Sequence, residues 1–335
     1  MLKQTTPDPT PKHPDLIYDV GLHKGEDAEF YLRKGFRVVA FEADPDLTAC
    51  CRDKLKEFID NGQLTIVEGA IVGPDSMRAG HKTVRFYKNR DVSVWGTVSD
   101  EWAKRNVRLG TSTETIDVDP IDFTDAVRKY GVPYFMKIDI EGCDTFCVDA
   151  LSRFKERPSF ISIESDKTSF GNVEREIELF IKLGYTSFQA VEQSRIHRYQ
   201  SPPDPPREGK YLSRCFEEGS SGLFGLELEG KWKSAHGILR EYRLIHLGYL
   251  LVGDNGIVCK WRFPGADLLR RVTCRVLGLF TQKAVPGWFD THARHHSAEI
   301  GNRLSSCQAS QHAVSPVVRW SPLLIRRLRN IRQHN

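Results

Sequence analysis

Apolar runs alternate with amphipathic stretches at a regular spacing over the first seventy residues. Residues 16–20 form a short apolar run stopped by Gly21, which predicts a strand. Residues 26–34 then predict a helix, with Gly35 just past its end as a C-terminal cap. Residues 37–42 are almost continuously apolar, as parallel strands buried on both faces are. Asp44 and Pro45 are an N-cap and a first-turn proline, and they open a second helix. Its Leu47, Cys51, Leu55 and Phe58 fall on one stripe at helical spacing. Residues 63–67 predict a third strand. Strand, helix, strand, helix, strand with connections this short predicts a right-handed parallel sheet, half of a doubly wound α/β fold.

The pattern loosens from Val72 to Gly110, where residues 83–87 and 92–98 read as short strands of a hairpin-like insertion. Residues 115–118 predict another strand and 123–129 a short helix. The main pattern resumes at Tyr134. Met136, Ile138 and Ile140 alternate with Lys137, Asp139 and Glu141, so period two sets three apolar residues against three charged ones. Gly142 stops this fourth strand and residues 144–154 read as its helix. A fifth strand (159–164), an amphipathic helix carrying Val173, Ile177, Phe180 and Ile181, and a sixth strand (186–191) complete the core.

The proline-rich stretch 201–206 breaks any regular element. A flexible loop is expected at 219–225 and a long helix at 235–251. Residues 287–296 form a polar and aromatic cluster whose His292, His295 and His296 read as surface chain rather than ligands. Trp288 and Phe289 there either stack on a sugar or pack the C-terminal region onto the core. The chain thus divides into a flexible tail (1–14), a core (15–200), an extension supplying substrate-pocket elements (201–300) and a basic tail (301–335). That last segment carries Arg319, Arg326, Arg327, Arg329 and Arg332 and reads as helical or disordered.

Composition narrows the class. With 335 residues, 40% hydrophobic and 27% charged, the chain reads as an ordinary globular protein. The net charge of +4 is too small for a dedicated nucleic-acid binder. No apolar run approaches the ~18 residues of a membrane span, and the N-terminus has no apolar signal region, so a cytoplasmic protein is expected. Eight cysteines without a C-x-x-C pair or zinc-like spacing read as free thiols in a reducing compartment.

Two constellations carry chemistry. The first is the turn Asp19-Val-Gly-Leu-His-Lys-Gly25 followed by Glu42. Gly21 and Gly25 let the backbone pass close to a ligand. Glu42 lies near the ~20-residue offset at which an acid reads ribose hydroxyls. His23 occupies the middle glycine position of a dinucleotide fingerprint, which disfavours a nicotinamide enzyme. The second groups Lys137, Asp139 and Glu141 with Glu164 at the end of the fifth strand. Carboxylates sharing one site could serve as a general base or hold a divalent cation. Alternatively, Lys137 pairs with one of them in a structural knot.

Asp19-Val-Gly…Gly25, Phe41-Glu-Ala-Asp-Pro45 and Met136-Lys-Ile-Asp-Ile-Glu-Gly142 together resemble the FkbM-type S-adenosylmethionine-dependent methyltransferases, over residues 15–191. His23 departs from the Asn often found there, and Asp144 from the Glu that commonly follows the glycine by two. The resemblance implies a mostly parallel, Rossmann-like sheet ordered 3-2-1-4-5-7-6, with S-adenosylmethionine over strands one and two. Gly21 and Gly25 would border its methionine part and Glu42 would hold its ribose, with Asp19 and His23 in the same turn. It further implies O-methylation of a small-molecule hydroxyl, on a sugar or a natural product. Asp139 or Glu141 would then be the base, with Glu164 assisting. Asp166 and Lys167 would shape the pocket mouth. The competing reading is a catalytically silent binding or scaffold protein of the same fold.

Overall fold

A computed structural model describes residues 6–78, 80–165, 169–196, 199–200, 202–217, 219–252, 271–276 and 288–298. The expectations for Asp166, Lys167 and the 301–335 tail lie outside these residues. Seven strands build the central sheet: β1 (Lys12–Val20), β2 (Arg37–Glu42), β3 (Leu64–Glu68), β4 (Val132–Ile138), β5 (Phe160–Glu164), β6 (Tyr185–Glu192) and β7 (Phe289–His295). Their order across the sheet is β3-β2-β1-β4-β5-β7-β6. Neighbours from β3 through β5 pair in parallel, and β7 runs antiparallel to both β5 and β6. This is the doubly wound sheet and the order that the family resemblance implied. The chain leaves β1 toward β2 on one side and returns as β4 on the other. That reversal opens a crevice at the carboxyl ends of β1 and β4, where such sheets bind ligands.

The seventh strand overturns one expectation. The polar stretch read as surface chain is an interior strand, with Thr291 and His292 at 0% and 1% exposure. The sheet therefore draws on residues beyond 200, where an extension was expected. Its polar side chains are tolerated because most meet partners. Thr291 Oγ1 lies 2.6 Å from the Tyr242 hydroxyl, Gln193 Nε2 donates to Asp290 Oδ2 at 2.7 Å, and the Arg294 guanidinium lies 4.9 Å from the Trp232 ring centre. Burial holds His292 and His295 neutral, pushing them down to about 3 and about 4.

Two smaller corrections concern the N-terminus and the insertion. Lys12 and His13 already pair with Val132 and Pro133, and Asp8 exchanges backbone hydrogen bonds of 2.8 Å with Arg153 and Lys155, so the expected tail is pinned at these residues. In the insertion, Val84–Asn89 pairs antiparallel along its length with Thr113–Val118, and meets 92–98 in a single antiparallel bridge between Tyr87 and Thr97. Asn89 Oδ1 accepts from the Asp91 and Val92 amides at 3.0 and 2.9 Å, which turns the chain out of the ladder. The 92–98 stretch instead holds one helical turn, Ser93–Trp95.

The helices that follow the strands are α1 (Glu26–Arg33), α2 (Pro45–Lys54), α3 (Asp100–Arg108, in the insertion), α4 (Phe123–Tyr130), α5 (Asp144–Ala150), α6 (Phe170–Lys182) and α7 (Ala235–Val252). The single stripe expected from Leu47 to Phe58 is broken at Leu55, after which a separate short helix, Lys56–Asp60, begins. On one sheet face Tyr18, Met136 and Ile161 meet Val127 of α4, Val148 of α5, Phe180 of α6 and Ile238 of α7 in one cluster. Each such buried side chain contributes about 1.5–3 kcal/mol. On the other face Tyr31, Phe135 and Phe224 join with ring centres 4.8–5.8 Å apart. Among the described residues, no helix is long and apolar enough to cross a membrane.

Candidate active site

The crevice begins where β1 ends. Gly21 has φ +93°, and a Cβ on it would sit 2.0 Å from the Asp139 carbonyl oxygen. Only glycine lets the β1 turn pass this close to the end of β4. His23 follows in the left-handed region at φ 51°. Its backbone amide donates to Glu42 Oε2 at 2.8 Å, and the Asp44 amide donates to Glu42 Oε1 at the same distance. Glu42 is thereby fixed at the end of β2 with each carboxylate oxygen accepting one amide, and each retains a further acceptor lone pair. Burial raises its pKa, while the two amides and the His23 side chain oppose the shift. The His23 ring spans from Glu26 Oε1 (3.2 Å) to Ser93 Oγ (2.8 Å), tying the turn to the insertion.

A cleft of about 850 Å³ opens over these residues. Gly21–His23 and Glu42–Asp44 form its floor, Gly69–Ile71 one wall, and Phe86 with Ser93, Val94 and residues 96–98 of the insertion its cover. Cys143 lines it too, but burial pushes its thiol up to about 12, which keeps it an unreactive neutral group.

Lys137 does not join Asp139 and Glu141 as the strand alternation suggested. Its Nζ donates to the Gly21 carbonyl at 3.0 Å and lies 3.3 Å from Asp19 and 3.6 Å from Asp27. All three charged groups are at most 5% exposed. This is the structural knot, formed with the carboxylates of β1 and α1. Asp27 is further held by the Ser221 amide at 2.9 Å. Asp19 has the Lys137 ammonium as its ion-pair partner, and among the described residues neither of its oxygens makes a well-aligned hydrogen bond. Asp19 thus lies behind the cleft rather than on its surface, whereas Asp27 and Lys137 line it. Sequence reasoning missed Asp27, which lies in the first turn of α1.

The remaining acids converge. Single carboxylate oxygens of Asp139, Glu141 and Glu164 lie within 4.8 Å of one another. Glu141 takes a left-handed backbone at φ 50°, which costs roughly 1 kcal/mol or more for a non-glycine residue. Its carbonyl accepts from Thr97 Oγ1 at 2.8 Å, so the insertion holds that conformation. Asp144 steadies the same turn by accepting from the Ile140 and Gly142 amides at 3.2 and 3.3 Å. Burial, followed by the nearby Asp139 charge, raises Asp144 to about 6. Asp139 faces the 850 Å³ cleft, while Glu141 and Glu164 face a second, wider one. Trp95, Trp102 and Arg105 of the insertion and Trp288 before β7 also line the wider cleft. The insertion residues carried no periodic signal and were not anticipated.

The chain was compared with known proteins. Among curated proteins none matches it in sequence. Among solved structures, a SAM-dependent methyltransferase from Thiobacillus denitrificans in complex with S-adenosyl-L-homocysteine is 9% identical, with 85% of this chain and 87% of that one covered and a TM-score of 0.31. A SAM-dependent methyltransferase from Geobacter sulfurreducens, in complex with the same ligand, is 10% identical over 85% and 84%, with a TM-score of 0.30. A precorrin-6y C5,15-methyltransferase from Geobacter metallireducens GS-15 is 13% identical over 63% and 77%, also at 0.30. These are loose likenesses, and the fold rests on the sheet order itself. The family comparison is direct: the Methyltransferase FkbM domain matches residues 19–193, from the first acid of the β1 turn to the end of β6. That stretch is more than half of the chain and contains both constellations, and the chain belongs to the FkbM methyltransferase family.

Proposed function

We propose that the protein transfers a methyl group from S-adenosylmethionine to a hydroxyl oxygen of a small molecule, a sugar or natural-product-like acceptor. The observation that carries this reading is the placement of Asp139, Glu141 and Glu164, within 4.8 Å of one another where two clefts adjoin. The narrower cleft fits the donor. Its floor has no Cβ at Gly21, and Glu42 offers buried acceptor lone pairs for two adjacent ribose hydroxyls. The 21–25 turn, Asp27 and Lys137 border the opposite end, where an amino-acid group finds charges of both signs.

S-adenosylmethionine supplies an electrophilic methyl on a cationic sulfur, so little covalent help is needed. The protein aligns the acceptor oxygen and removes its proton. Glu141 or Asp139 accepts that proton, and Glu164 holds a neighbouring hydroxyl. Their oxygens also suit a divalent cation. Loss of turnover on EDTA treatment, restored by magnesium, would assign them to metal binding instead of unassisted proton removal. The primary test is calorimetric titration with S-adenosylhomocysteine and with NAD, followed by mass spectrometry of small-molecule extracts incubated with methyl-labelled donor. Binding of the first ligand alone and label on a hydroxyl oxygen are expected. Binding of NAD instead, or label on nitrogen or carbon, would overturn the reading.

A further inference from the structure

The insertion between β3 and β4 faces two ways. Ser93, Val94 and residues 96–98 line the donor cleft, while Trp95, Trp102 and Arg105 line the wider one. Trp102 stands closest to the chemistry. A Cβ on Gly142 would lie 2.3 Å from its Nε1, so the indole edge abuts the residue next to Glu141. The glycine of the Asp-Ile-Glu-Gly motif therefore does two things: it supplies φ +91°, and it leaves room for this ring.

The ring is held from several sides. The Arg105 guanidinium lies 4.8 Å from the centre of Trp102 and 5.8 Å from that of Trp95. Ser99 caps α3 by accepting from the Trp102 amide at 3.4 Å, and Asn106 Nδ2 donates to the Trp95 carbonyl at 3.1 Å. Thr97 joins the same segment to the Glu141 carbonyl. Packing does not demand an indole here, because Trp102 is only half-buried. An aromatic wall fixed one residue from a candidate base is what a hydroxylated ring needs. Its C–H groups pack on the indole while its hydroxyls reach carboxylates.

We propose that Trp102 is the specificity-determining residue of the acceptor cleft, the wall against which a saturated hydroxylated ring packs while one of its hydroxyls meets Glu141. This rests on the methyltransferase reading for the identity of the cleft, but Trp102 can be tested apart from the donor. Arg105 is a positioning residue that holds the ring.

The test uses the full chain labelled with nitrogen-15 at its tryptophan indoles, with the Trp102 resonance assigned through Trp102→Phe. Methyl α-D-glucopyranoside and methyl α-L-rhamnopyranoside are titrated with and without S-adenosylhomocysteine, with glycerol and catechol as comparison probes. At least one glycoside shifts the Trp102 resonance saturably, and glycerol does not. Trp102→Ala weakens that glycoside at least tenfold with unchanged S-adenosylhomocysteine affinity, which doubles as the folding control, and Trp102→Phe restores most of it. No glycoside response at Trp102 while S-adenosylhomocysteine binds would overturn the proposal, as would a response to catechol alone or equal glycoside affinity in Trp102→Ala. A Trp102 response to glycoside with no S-adenosylhomocysteine binding would keep the platform and overturn the donor assignment.

Discussion

Replacing Lys137 with Met removes a cation within 4 Å of both Asp19 and Asp27 while keeping most of the side-chain volume. Asp27 retains its two bonds from the Ser221 amide, at 2.9 and 3.0 Å, but Asp19 is left with no polar partner at zero exposure. Breaking a buried pair from one side costs about 3–5 kcal/mol. That is a large share of the ~5–15 kcal/mol that holds a domain folded. The cost depends on pH in a defined direction. Burial raises Asp19 to about 7, against the pull of Lys137. An acid raised in the folded state contributes stability that is complete below its unfolded value and is lost as pH rises through the folded one. Without Lys137 the value rises further, so the variant's deficit is small at about pH 5 and larger at about pH 8. Urea unfolding of both proteins at the two pH values measures it. A deficit under about 1 kcal/mol at both would show that the charges are not coupled as their distances imply.

Four further outcomes are expected. Glu42→Ala weakens S-adenosylhomocysteine at least tenfold by calorimetry, since a hydrogen bond to a charged group is worth about 1.5–3 kcal/mol; unchanged affinity removes Glu42 from the donor site. Glu141→Gln keeps that affinity and lowers turnover by about 10²–10⁴, the usual weight of a general base; full activity refutes its role. Glu208, which burial raises to about 7 beside Tyr134 and the Leu226 amide, makes stability fall as pH rises from about 4.5 to about 7. Thermal melts of Glu208→Gln should lack that slope, and an identical slope would exclude Glu208 as its source. His292→Phe is neutral or stabilising by about 1–2 kcal/mol, because neither ring nitrogen has a hydrogen-bond partner; a loss of that size would instead mean that buried water bonds the imidazole.

The parallel half of the fold was legible because its strands are bounded by the glycines and caps that terminate them. Gly21, Gly35 and Asp44-Pro45 stand where element ends were expected, whereas β4 already ends at Ile138, ahead of the stop expected at Gly142. The motif carboxylates were legible as a group because the motif follows the end of β4 beside the end of parallel β5, although β4 stops at Ile138 and a left-handed turn, not period two, sets Glu141. Lys137 was misplaced among them because the alternation that orients it says nothing of α1, which brings Asp27 down onto it. The insertion was illegible for another reason. Its order comes from side chains that cap and brace locally, Asn89, Thr97 and Arg105 among them, and such contacts leave no period in the sequence.

The hardest strand to read explains itself through its neighbours. Cross-strand register aligns Asp19 with Lys137, Lys137 with Ser162, Ser162 with His292, and His292 with Gln189. One buried polar row therefore crosses five strands, from the knot behind the donor cleft to β6. A strand carrying Asp290, His292 and Arg294 looks unfit for an interior when read alone. Set beside that row, it continues a polar layer already imposed by Asp19 and Lys137. The layer is not free: among the described residues Ser162 Oγ and both His292 nitrogens make no hydrogen bond, at about 1–3 kcal/mol for each such group. An apolar row would be more stable, so the layer's persistence needs a reason outside packing. The site offers one. Lys137 at one end orders the Gly21 carbonyl and lines the donor cleft, and Asp290, one ladder pair nearer the rim, sits opposite Glu164. The polar layer lets the fold hold fixed charges beneath the candidate site, and the polar residues of β7 continue the row set by Asp19 and Lys137.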